Sequence, residues 1–208
     1  MVYKMLNDKI EKVQVDKDIL DFLKYIYFGA LDDPLKAASR RAYLDMNRTI
    51  RFHGLLDETR LELREQVNAI LEREIATLTP KNISCLGDYD IWHHHVCDEI
   101  KKLYLDKGIK LTYGHTQKWI NMTIKYLYAL EANSFDGIFE YLHIPLDNYV
   151  FDIARDSLCI ERPEMVWSSW DDYEGQYLYY QNLIRENVAE EAPLRWEFRY
   201  WLRAAGNH

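Results

Sequence analysis

The chain has 208 residues, 48% of them hydrophobic, enough for one sizeable core that buries roughly 70% of the surface an unfolded chain exposes. Aromatic residues make up 14%, with 16 Tyr and 6 Trp, which excludes a disordered chain. The net charge of −8 argues against an overall basic surface, yet it is uneven: residues 101–130 hold six Lys and one Asp, whereas residues 131–192 hold fourteen acids and three Arg.

The hydrophobic period is helical nearly throughout. A first helix spans Asp18–Phe28 and stops at Gly29; a second starts at Asp33-Pro34, with proline at its first position, and runs to about His53. Asp57–Leu78 forms a third, rich in Leu, Glu and Arg, followed by a loop from Pro80 to Gly87. A fourth runs from about Asp88 to Lys107 and stops at Gly108. The turn Thr112-Tyr113-Gly114-His115 precedes a fifth, about Thr116–Leu130. Shorter helices are expected at Ser134–Tyr141 and Asp147–Asp156, and the last two at Asp171–Asn187 and Pro193–Ala204. Nothing alternates at period two over six residues, so the fold class is all-α: a single globular multi-helix domain, with possible lobes at 16–80 and 88–208 around a cleft.

No apolar run approaches the roughly 20 residues of a membrane span, so no membrane partner is expected. The first residues, MVYKMLNDKIEKVQVDKD, lack the apolar stretch of a signal peptide. Cys85, Cys97 and Cys159 are odd in number and form no CxxC pair, which fits a reducing, cytoplasmic setting. No Ser-His-Asp order, G-x-S-x-G, P-loop or G-x-G-x-x-G is present.

The most specific pattern lies between Lys107 and Arg155. A helix ends at Gly108, a glycine-bearing turn follows, and Lys118 falls in the first turn of the next helix; Asp147 then opens a helix directly after Pro145-Leu146. This order resembles the helix-hairpin-helix DNA glycosylases, which carry a hairpin, a lysine-bearing helix and a later P-x-D-x-x-V/I segment. The hairpin here has the single glycine Gly114, and 29 positions separate Lys118 from Asp147. The resemblance implies a nucleic-acid partner, DNA, and cleavage of an N-glycosidic bond at a damaged or modified base, without a cofactor or metal. Lys118 would attack the sugar carbon as the base leaves, and Asp147 would serve as acid/base and electrostatic residue. The hairpin amides around Gly114 and His115 would grip a phosphate, with Asn121, Lys110 and Lys125 nearby and Trp119 stacking on the flipped base.

Two other readings come from the residues. Arg48 and His53, near a helix end, resemble the motif of HEPN ribonucleases, small all-α dimers that act on the RNA 2′-hydroxyl and scissile phosphate. Alternatively, Trp196, Tyr200 and Trp201 form an aromatic stripe suited to the core or to a homodimer face of a non-catalytic interaction protein. In the run His93-His94-His95, each imidazole points to a different helix face. One metal therefore cannot use all three, and Cys97, one turn from His93, reads as core.

Overall fold

The computed structural model describes residues 16–205 except 53 and 189. Among the described residues, eight α-helices account for the fold and no strand occurs. They are α1 (Lys17–Phe28), α2 (Pro34–Met46), α3 (Asp57–Ile75), α4 (Leu86–Leu105), α5 (Tyr113–Ala129), α6 (Asn148–Leu158), α7 (Tyr179–Asn187) and α8 (Pro193–Ala205). Among the described residues no helix is long and apolar enough to cross a membrane.

Local chemistry explains most starts and stops. Asp16, Asp33 and Asp147 each accept the backbone N–H three residues on, which caps α1, α2 and α6. α1 ends at Gly29, whose φ of +80° favours glycine because a side chain there would be strained. α5 is the central element: every residue from Gly114 to Leu127 is buried. α2 packs against it most extensively, through the small residues Ala37, Ala38, Ser39 and Ala42. The buried apolar residues form one cluster drawn from both sides of residue 80.

Apart from shifts of three residues or fewer at other helix ends, four boundaries depart from the sequence reading. α2 ends at Met46 rather than near His53, and a 3₁₀ turn at Asn47–Thr49 follows it. The expected helix at Ser134–Tyr141 shrinks to a 3₁₀ turn at Phe139–Tyr141. Asn133 Oδ1 accepts the Phe135 N–H, and positive φ at Phe135 and Gly137 prevents helix propagation. The segment before α7 winds as a π-helix over Tyr173–Leu178.

The fourth departure changes the meaning of the glycine turn. Thr112 and His115 cap α5 reciprocally: Thr112 Oγ1 accepts the His115 N–H, while His115 Nδ1 accepts the Thr112 N–H. The helix therefore begins at Tyr113, and Gly114 lies inside its first turn, not in a hairpin loop. Its N–H donates to the Trp170 carbonyl at 3.0 Å, and a Cβ there would sit 1.8 Å from the Trp167 carbonyl oxygen. Glycine is required for this close approach.

Candidate functional site: a cavity with paired lysines

α5 places Lys118, Met122 and Lys125 at i, i+4 and i+7, on one stripe of a helix that is otherwise wrapped by the core. Burying two lysine ammonium groups requires partners, because an unpaired charge in a low-dielectric interior is costly. Both have one. Lys118 donates to Asp147 Oδ2, and Lys125 Nζ lies 2.6 and 2.7 Å from the two carboxylate oxygens of Glu197 on α8.

The position of Asp147 follows from the same helix. Gln117 Nε2 donates to the Leu146 carbonyl at 2.9 Å, and Gln117 Oε1 accepts the Leu146 N–H at 3.1 Å. Asn121 Nδ2 donates to the Ile144 carbonyl at 3.1 Å. The segment leading into α6 is thus clamped along α5, and Asp147 is delivered to Lys118. Its other oxygen accepts the Val150 N–H at 3.0 Å. The sequence pattern brought these two residues into one site, and the structure puts them in contact.

Both pairs line a cavity of about 670 Å³. Tyr27, Tyr126, Tyr149, Trp167, Phe198 and Trp201 supply rings to its wall. Lys125 Nζ sits 4.9 Å from the Phe198 ring centroid and 5.7 Å from that of Trp201, so its charge faces two π-surfaces as well as a carboxylate. A third ion pair, Arg41 Nη2 to Asp45 Oδ1 at 2.8 Å, borders the cavity, where Tyr126 OH also donates to Asp45. Arg48 is exposed at the rim and makes no ion pair among the described residues. Glu197 is 1% exposed, and burial pushes its carboxyl above the usual range although Lys125 and Lys118 oppose the shift.

The remaining expected contacts are engaged elsewhere. The Gly114 amide is bound to Trp170. His115 is buried in the cap with Nε2 3.0 Å from Thr49 Oγ1, and burial holds it down to about 4. Trp119 is 1% exposed, its indole N–H directed at Ser39, so it belongs to the core and is not a stacking ring. Lys110 is exposed and pairs at 2.8 Å with Asp171, which also binds Lys101 at 2.6 Å; the basic block thereby neutralises part of the acidic one. Only Lys125 of this group reaches the cavity. Arg48 does so as well, while His53 lies outside the described residues. Trp196, expected on a stripe with Trp201, is 2% exposed in the core, and Trp201 turns to the cavity.

Asn121 belongs to a second, sealed cluster. His93 Nε2–H donates to Asn121 Oδ1 at 3.0 Å, and Tyr177 OH is 2.7 Å from His143 Nδ1. His143 Nε2–H donates to Asp90 at 2.7 Å, and Arg185 holds the same carboxylate at 2.7 and 3.1 Å. Burial raises the Asp90 carboxyl, but the His143 and Arg185 bonds outweigh it and hold it down at about 2. Burial brings His143 down to about 4 and pushes His93 well below its ordinary value.

Glu197 was missed from sequence. It stands as a lone acid in the aromatic run WEFRYW, and no spacing in the sequence ties it to Lys125. Comparison with known proteins gave no match to a family model, a curated protein or a solved structure.

Proposed function

We propose that the cavity receives a single flat base of a nucleic acid, and that Lys118 and Asp147 act on the N-glycosidic bond of that nucleotide. The observation that carries the reading is the meeting of Lys118 with Asp147 in the wall of a ring-lined cavity, beside an arginine without an ion-pair partner. Its volume lies within the range of small-molecule pockets, and the rings suit a flat base. Arg48 supplies the phosphate contact at the rim. With the Gly114 amide occupied and the basic block partly neutralised, an extruded nucleotide fits this surface better than a long duplex grip.

The chemistry uses the pair directly. Asp147 takes a proton from the Lys118 ammonium, and the freed lone pair attacks the sugar C1′. The C1′–N bond breaks with its electron pair on the base, which recovers the proton from Asp147. The resulting ammonium adduct passes one proton to O4′ as the C1′–O4′ bond breaks, leaving a protonated imine that borohydride reduces to a stable secondary amine.

The test is borohydride trapping with oligodeoxynucleotides that each carry one altered base: uracil, 8-oxoguanine or an alkylated purine. The wild-type chain is expected to form a covalent band with at least one of them. Lys118→Gln should lose the band, and Asp147→Asn should keep binding while losing it. No band with any of the three, or an undiminished band in Lys118→Gln, overturns the reading.

A further inference from the structure

The three adjacent histidines separate completely in the fold. His93 enters the sealed cluster, and His94 stacks on Tyr173 with ring centroids 3.8 Å apart. His95 is exposed and has no hydrogen bond or ion pair among the described residues. One turn on, α4 carries Glu99, and the last turn of α3 brings Glu74 to the same spot; one donor atom from each of the three lies within 4.8 Å of the others. None of the three lines the cavity.

Two carboxylates that converge in this way repel each other unless a positive charge sits between them. Here that charge is a guanidinium. Arg73 Nε lies 2.8 Å from Glu74 Oε1, and its Nη2 binds Glu99. The place therefore already holds a cation, flanked by an imidazole that nothing else engages. Arg73 is 55% exposed and can release into water, whereas Glu74 and Glu99 stay on two packed helices.

We propose that Glu74, His95 and Glu99 form a Zn²⁺ site that clamps α3 to α4, with Arg73 as the counter-cation the metal displaces. Zn²⁺ accepts imidazole nitrogen and carboxylate oxygen at about 2.0–2.2 Å, so tetrahedral ligands lie about 3.4 Å apart. The observed spacing of up to 4.8 Å exceeds that by at most about 1.4 Å, a gap that side-chain rotation would have to close. The imidazole disfavours Mg²⁺ and Ca²⁺, which prefer all-oxygen shells. Three protein ligands leave a fourth position for water.

The competition with Arg73 gives the proposal a sign that a chance surface contact lacks. The full chain, stripped with EDTA, is titrated with ZnCl₂ by calorimetry, and thermal unfolding is followed with and without the metal. One Zn²⁺ per chain is expected, with a rise in Tm. His95→Ala should weaken binding at least tenfold and abolish the rise, and circular dichroism verifies that the variant is folded. Arg73→Met should tighten binding several-fold. Equal affinity in wild type and His95→Ala overturns the site, as does a wild-type or Arg73→Met chain that binds no Zn²⁺. Binding that Arg73→Met leaves unchanged or weakens overturns the displacement. None of these readouts involves DNA, so they stand or fall apart from the cavity.

Discussion

Two polar clusters meet the same central helix, and they differ in what closes them. Around Asn121, His93, His143 and Tyr177 are all buried and bond to one another and to Asp90 and Arg185. Around Lys118 and Lys125, each ammonium has one carboxylate, and the next neighbour is open space lined by rings. A buried polar network whose members satisfy each other fixes a unique core. Under the proposed function, the charges beside the cavity serve what enters it, whereas the first cluster is structural.

The largest effect should come from breaking the sealed cluster. Asp90→Ala leaves Arg185, whose side chain is 9% exposed, without its carboxylate, and it leaves the His143 N–H unsatisfied. Removing one partner of a buried pair costs about 3–5 kcal/mol, so urea unfolding should show a loss of that size. A loss below about 1 kcal/mol would mean that water reaches the cluster.

Acid should act next, through the same cluster and the α5 cap. His143 and His115 titrate at about 4 in the folded chain, against an ordinary value of 6.5. The unfolded chain therefore binds their protons first as the pH falls. Their contribution is complete above about pH 6.5 and is lost as the pH drops towards 4, by up to about 3 kcal/mol for each histidine. Asp90, held at about 2, keeps its contribution until the pH falls below its ordinary value of 3.8. Unfolding free energy measured from pH 7 to pH 4 should fall steadily; a flat profile would show that these histidines are not buried neutral.

The smallest effect on stability should be at the cavity. Lys118→Gln leaves Asp147 with its Val150 N–H and with access to cavity water, so a loss of about 1 kcal/mol is expected from the same urea measurement. A loss matching that of Asp90→Ala would erase the distinction between the clusters.

What the sequence made legible follows the range of the interactions. The all-α class and the starts of α2 and α6 rest on caps formed within three residues, at Asp33 and Asp147. The pairing of Lys118 with Asp147 was legible only through an ordered motif. Lys125 and Glu197 are 72 positions apart with no pattern joining them, and nothing in the sequence pointed to that pair. Gly114 was read as a turn because glycine most often marks one; the structure uses its missing side chain against the Trp167 carbonyl instead. The run of three histidines showed that the rings diverge, but not that His95 would find Glu74 from another helix.

Lys118 and Lys125 share one stripe and one cavity, yet only Lys118 is paired with the carboxylate that caps α6. The direct test is to reduce the chain with borohydride in the presence of the uracil, 8-oxoguanine or alkylated-purine oligonucleotides, digest it, and locate the added sugar mass by mass spectrometry. The mass should fall on the peptide containing Lys118 and on that residue alone. A modification at Lys125, a spread over the exposed Lys102, Lys107 and Lys110, or no added mass with any of the oligonucleotides would contradict the assignment of chemistry to this pair.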